Sequence, residues 1–228
     1  MPDLGWTEAD REALEVLRPL LDAGGYLPWT EGALRPAALA AVCNEIALAG
    51  RTEVVELGSG VSTVVLARLL RERGGRLTTV EHQPDWARFV RSQLKREGLT
   101  TVARLVEAPL EPHPLALDDA PWYAERALAD LPNEVDLLLI DGPPGYGEGM
   151  ERSRYPALPA LAERLAPDSF VLLDDATRPG ERDIVERWRA TGWEFGIRDA
   201  EDIATGTRQT SSPSPAPSGP SRPASTRP

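Results

Sequence analysis

Glu56, Gly58 and Gly60 stand within five residues of each other in the stretch EVVELGSGVST, Glu53–Thr63. Two glycines one residue apart allow positive φ and let a ligand lie against bare backbone. Taken alone, the stretch is either a plain bend between a strand and a helix or a binding turn. A dinucleotide fingerprint would need a glycine at 63, where Thr63 stands. A carboxylate at the tip of the strand repels a pyrophosphate and attracts an amino group. The next strand ends TTVEH, which puts Glu81 where one carboxylate takes both hydroxyls of a ribose. A ligand with a ribose and an ammonium group, and no phosphate, fits both acids.

A second set of acids follows. Asp141 ends VDLLLID and opens DGPPGYGEG, and Asp174 and Asp175 end FVLLDD. Three carboxylates on neighbouring strand tips repel one another if left bare, and a hard divalent cation with oxygen ligands relieves that repulsion. The competing reading is that such residues cap the next helix or bind loop amides. Asp136, at the opposite end of its strand, is read as structural.

These residues need a sheet to bring them together. Strand patterns (EVVEL, LTTVE, VARLV, VDLLLID, FVLLD) alternate with helical ones (STVVLARLLRERGG, PDWARFVRSQLKREG, YPALPALAERLA, GERDIVERWRATG). WEFGIR and IATGTR form a final hairpin around DAED. Strands that are apolar throughout, alternating with helices, indicate a parallel sheet covered on both faces. In such sheets ligands sit at the carboxyl ends of the strands, which is where all the acids above fall. Two helices precede the sheet: one capped by Thr7 with Asp10 three residues on, the other opened by Pro36 and closed near Gly50. The chain divides into an N-terminal helical segment, 1–50, packed on the core; a ligand-binding core, 51–209; and a disordered Pro/Ser-rich tail, 210–228.

Composition bounds the partners. A formal net charge of −11 over 228 residues disfavours nucleic acid and anionic membranes. The single cysteine, Cys43, excludes an internal disulfide and a Cys-based zinc site. No signal peptide and no run long enough to span a membrane are visible, and the expected location is the cytoplasm. The N-terminal helices are candidate elements of a homodimer.

The combination VVELGSGVST, LTTVEHQPDW, VDLLLIDG and FVLLDDA resembles a class I S-adenosylmethionine-dependent methyltransferase, in particular the small bacterial members with IDGPPG and RYPALP segments. The resemblance implies a Rossmann-like, doubly wound α/β fold: a seven-stranded, mostly parallel sheet with an antiparallel last strand, plus N-terminal helices. It implies S-adenosyl-L-methionine bound across the first strand tips. Glu56, Gly58, Ser59 and Gly60 match the glycine motif. Ser62 stands where many members have a third glycine, and its hydroxyl is suited to the cofactor's carboxylate. Glu81 matches the ribose acid, and His82 falls near the adenine or packs as a neutral histidine. Glu107 and Ala108 fall where the adenine meets backbone, and Thr30, beside Trp29 and Glu31, belongs to a segment that covers the methionine end.

Asp141, Asp174 and Asp175 resemble the metal site of metal-dependent O-methyltransferases, with Asp175 in place of an Asn. This adds Mg²⁺ or another divalent cation as a second candidate cofactor. The lysine those enzymes carry near the first Asp is absent here, which leaves the general base open; without a metal, Asp141 or His113 is the candidate, with His113 reading also as a plain loop residue. Trp122, Tyr123, Arg154, Tyr155 and Arg178 are candidate walls for a small-molecule acceptor; packing, or salt bridges to Glu151 and Glu181, is the alternative. The implied activity is O-methylation of a small molecule. Nitrogen or carbon acceptors, a nicotinamide-dependent oxidoreductase, and a non-catalytic regulatory module are the competing readings.

Overall fold

The computed structural model describes residues 4–208, so the segment 210–228 lies outside the described residues. Helix α1, Glu8–Leu21, opens with a reciprocal cap: Thr7 Oγ1 accepts from the Asp10 N–H at 3.3 Å, and Asp10 accepts from the Thr7 N–H at 2.9 Å. The buried Asp10 carboxylate also pairs with Arg35 and accepts from the Ala37 N–H at 3.2 Å. One side chain thus ties the start of α1 to the start of α2, Pro36–Leu48.

The sheet follows as β1 (Glu53–Leu57), α3 (Val61–Arg73), β2 (Arg76–Glu81), α4 (Pro84–Arg96) and β3 (Ala103–Glu107). A short hairpin, β4 (Leu110–Glu111) and β5 (Trp122–Tyr123), leads through α5 (Glu125–Leu128) to β6 (Val135–Ile140). Then come α6 (Ala157–Leu161), β7 (Leu165–Asp174), α7 (Pro179–Arg189), β8 (Trp193–Arg198) and β9 (Ile203–Arg208). The seven-stranded order is β3-β2-β1-β6-β7-β9-β8, and only β9 runs antiparallel to its neighbours. This is the doubly wound sheet with an antiparallel last strand that the resemblance implied.

Side chains alternate between the two faces along each strand. Val54, Leu137 and Leu139 point to the face covered by α1–α4, where they meet Leu17, Leu39, Ile46, Leu66 and Leu70. Val55, Leu57, Leu138 and Ile140 point to the other face and meet Leu158, Ile184 and Trp188. The N-terminal helices therefore share a core with the sheet. Each such fully buried aliphatic side chain stabilises the fold by about 1.5–3 kcal/mol. Asp136 sits at the far end of β6, where it accepts from the Thr52 and Glu53 N–H groups at 2.7 and 3.1 Å, a structural role as expected.

Two elements differ from the sequence reading. The helix expected over YPALPALAERLA is shorter, α-helical over Ala157–Leu161 and 3₁₀ over Ala162–Arg164, because β7 begins at Leu165, paired with Val135. The β4–β5 hairpin was not foreseen, since two-residue strands carry no periodic signal.

Candidate functional site

The carboxyl ends of β1, β2, β6 and β7 meet at one cavity of about 420 Å³. Its floor is the glycine turn. Gly58 has φ +92°, and its N–H crosses to the Val80 carbonyl at 2.9 Å. A Cβ on Gly58 would lie 2.7 Å from the Asp141 carbonyl oxygen. Gly142 faces it: a Cβ there would lie 3.0 Å from Gly58 Cα and 2.4 Å from the Tyr123 hydroxyl. The two glycines let the ends of β1 and β6 close together. Gly60 is different: its backbone is extended (φ −179°), and a Cβ would meet nothing nearer than Ser62 Oγ at 4.0 Å.

Glu56 is not on the cavity wall. By strand alternation it points to the same face as Val54, under the first turn of α3, where it is wholly buried. There it accepts from the Ser62 and Thr63 hydroxyls, each at 2.6 Å. Its expected role as a direct cofactor contact is corrected: it anchors the turn. Ser62 does line the cavity, with its hydroxyl committed to Glu56.

Glu81 is on the wall, held by four donors. Oε2 accepts from the Ser59 N–H and Oγ at 3.0 and 2.8 Å; Oε1 accepts from the Gln83 N–H at 2.8 Å and faces His82 Nδ1 at 3.2 Å. Burial pushes its pKa up, but hydrogen bonds from His82, Gln83 and Ser59 outweigh it and hold the carboxyl below the ordinary value. It is an anion with fixed orientation.

At the other end of the cavity, Asp141, Asp174 and Asp175 each bring one oxygen within 4.8 Å of the others. The Arg154 guanidinium lies among them, 3.4 Å from Asp141 Oδ1 and 3.0 Å from Asp175 Oδ2. Arg178 pairs with the other oxygen of Asp175 at 2.7 Å, and Glu181 lies 3.9 Å from Arg154. Burial is the chief reason that Asp141 and Glu181 are pushed up to about 7 and Asp174 well above its usual range, with neighbouring carboxylates adding to the rise. Burial also raises Glu56 to about 7, against the hydrogen bonds from Ser62 and Thr63.

The sign of the pH effect on stability follows. An acid whose pKa is raised in the folded state holds its proton there while the unfolded chain has already lost it. Stability then falls as pH rises from the unfolded value near 4 to the folded value near 7. Acids with lowered values, such as Asp10 and Glu81, act only below that window. The melting temperature is therefore expected to drop between pH 5 and pH 8, and Glu56→Gln to remove part of the drop. A flat or rising profile by scanning fluorimetry would contradict this assignment.

The structure brings together most of the residues picked from sequence. Thr30, Gly58, Ser59, Gly60, Ser62, Glu81, His82, Tyr123, Asp141, Arg154, Asp174, Asp175 and Arg178 all line the cavity. Four do not. Glu107 is exposed and pairs with Arg91 at 2.7 Å, while Ala108 is buried and gives its N–H to the Glu81 carbonyl. Trp122 is buried in the core beside Tyr123, their ring centroids 5.6 Å apart, and does not reach the cavity. Tyr155 lines a separate groove of about 870 Å³ beside Trp188 and Trp193, which has neither the glycine turn nor the acid cluster. Sequence reasoning missed Trp86 and Tyr146, and named Glu181 only as a salt-bridge partner of the arginines, which it is. Trp86 lines the wall and donates Nε1–H to the Ser59 carbonyl at 2.6 Å.

Strand order, glycine turn and a fixed acid at the end of β2 define a class I methyltransferase fold. The chain belongs to the methyltransferase-domain family, whose model matches residues 55–176. It is 29% identical over 132 residues to a catechol O-methyltransferase of Niastella koreensis, and spans 55% of the length of that relative and 55% of its own. Two solved structures share the fold. One is the SAH-bound methyltransferase PaMTH1 of Podospora anserina (TM-score 0.56, 16% identity, covering 90% of this chain and 89% of that one). The other is the O-methyltransferase TomG of Streptomyces achromogenes, solved with SAM (TM-score 0.56, 14% identity, covering 90% and 91%). Among the described residues, no helix is long and apolar enough to cross a membrane.

Proposed function

We propose that the protein transfers a methyl group from S-adenosylmethionine to an oxygen of a small molecule. The observation that carries this is the single cavity joining the glycine turn and Glu81 to Asp141. Its residues fit the cofactor: Glu81 is an oriented anion for the ribose hydroxyls, the open flank of Gly60 leaves room for the chain along the turn, and His82 and Trp86 offer flat walls. When bound, the cofactor supplies an activated methyl on a sulfonium.

The protein's own part is alignment, desolvation and proton removal. Asp141 stands at the cavity with a pKa near 7, matched to a base working at neutral pH, and accepts the proton of the acceptor hydroxyl. Tyr123 is fully buried and its hydroxyl has no protein partner, so it is available to a bound ligand. The likeness to a catechol O-methyltransferase supports oxygen as the acceptor atom.

Calorimetric titration with S-adenosylhomocysteine tests the reading, with NAD⁺ as control. Saturable one-to-one binding of the first and none of the second is expected. Failure to bind S-adenosylhomocysteine sinks it.

A further inference from the structure

We propose that Arg154 is the resident cation of the acid cluster, standing where the resemblance places a divalent metal, and that this site takes no metal ion. The inference concerns the acceptor end of the pocket and so rests on the methyltransferase reading above.

The geometry of Arg154 carries it. The side chain is almost wholly buried, and four hydrogen bonds and an ion pair to Asp175 hold its guanidinium. Nε donates to the Pro143 carbonyl at 3.1 Å. Nη1 donates to the Asp174 carbonyl at 3.0 Å and pairs with Asp175 Oδ2 at 3.0 Å. Nη2 donates to the Asp141 carbonyl at 3.2 Å and to Asp141 Oδ1 at 3.4 Å. The guanidinium thus binds the backbone of both strand ends that carry the acids, as well as the acids themselves.

A divalent ion on the same carboxylates would face this fixed charge at close range. Both oxygens of Asp175 already face a guanidinium, Arg154 at one and Arg178 at the other. The three carboxylates offer a cation one oxygen each, where a hard cation prefers about six oxygen ligands. Arg154 does not give way easily, because leaving would orphan three buried carbonyl oxygens. The charges facing the cluster from each packed element are Asp141 after β6, Asp174 and Asp175 at the end of β7, Glu181 and Arg178 from α7, and Arg154 before α6. An arginine does here what a metal would otherwise do: it compensates several carboxylates and locks the two loops in register.

Manganese is the probe, because free and bound Mn²⁺ are distinguished by electron paramagnetic resonance. The full chain is expected to leave millimolar Mn²⁺ free, and S-adenosylhomocysteine to bind equally with and without chelator. Arg154→Gln removes the charge and is expected to gain a Mn²⁺ site at least about tenfold tighter than any in the parent. Arg154→Lys, which keeps the charge, is expected to gain none. Stoichiometric Mn²⁺ binding by the parent, lost in Asp141→Asn, overturns the proposal. So does a folded Arg154→Gln that binds no more Mn²⁺ than the parent. Should Arg154→Gln fail to fold, the parent titration still decides. Loss of S-adenosylhomocysteine binding with Mn²⁺ left free would count against the methyltransferase reading and not against Arg154.

Discussion

Glu81→Gln is expected to weaken S-adenosylhomocysteine binding by roughly thirtyfold or more. A hydrogen bond to a charged group contributes about 1.5–3 kcal/mol, and about 1.4 kcal/mol is a factor of ten in affinity. A ribose diol would place two hydroxyls on this one carboxylate, and the amide of Gln offers only one acceptor oxygen. Both Glu81 oxygens are already in use, so the ligand must compete. The Ser59 hydroxyl and the His82 ring are side-chain donors that rotate away, whereas the Ser59 and Gln83 N–H groups stay and keep the carboxylate aimed. Ser59→Ala, which removes a competitor, is therefore expected to leave affinity within about threefold. Calorimetry on both variants, with melting temperatures as a fold control, checks the pair. Unchanged affinity in Glu81→Gln would refute the ribose assignment.

How much of this was legible in the sequence depended on whether the cause was local. The sheet was readable because apolar strands and capped helices announce themselves over a few residues: Thr7 with Asp10, Pro36, and the glycine ending α3 all sit where expected. The acids at strand tips were readable because strand ends in such sheets converge. What the sequence did not carry was direction. Glu56 and Glu81 look alike, each an acid closing a strand, yet Glu56 points under α3 and Glu81 into the cavity. Strand parity separates them only once the face that each strand turns to α3 is fixed. Arg154 was the larger omission. RYPALP suggested an arginine at the site, but its burial among three carbonyls and two carboxylates depends on how the loops after β6 and β7 meet. Short hairpins such as β4–β5, and the choice between Trp122 and Tyr123, likewise hang on contacts far apart in the chain.

Gly58→Ala and Gly60→Ala are expected to part company, and the difference separates a fold requirement from a ligand requirement in one turn. At Gly58 a methyl meets backbone, the Asp141 carbonyl oxygen at 2.7 Å and its carbon at 2.9 Å, and φ is +92°. Neither the strand end nor Gly142 behind it has room to retreat. Strained backbone of this kind costs about 1–3 kcal/mol, and overpacking adds a similar amount. A loss of about 3 kcal/mol would lower the melting temperature by roughly 6–12 °C in a chain of this size. At Gly60 the backbone is extended and the space is open, so a methyl is tolerated by the empty protein, with stability expected to change by only about 0.5 kcal/mol. That open space borders the cavity, however, and a bound cofactor would have to share it. Gly60→Ala is therefore expected to keep its melting temperature and lose at least about tenfold in S-adenosylhomocysteine affinity, near 1.4 kcal/mol. Thermal melts and titrations on the two variants read both quantities. If Gly60→Ala binds S-adenosylhomocysteine as the parent does, the second glycine belongs to the bend alone and the cofactor lies elsewhere in the cavity.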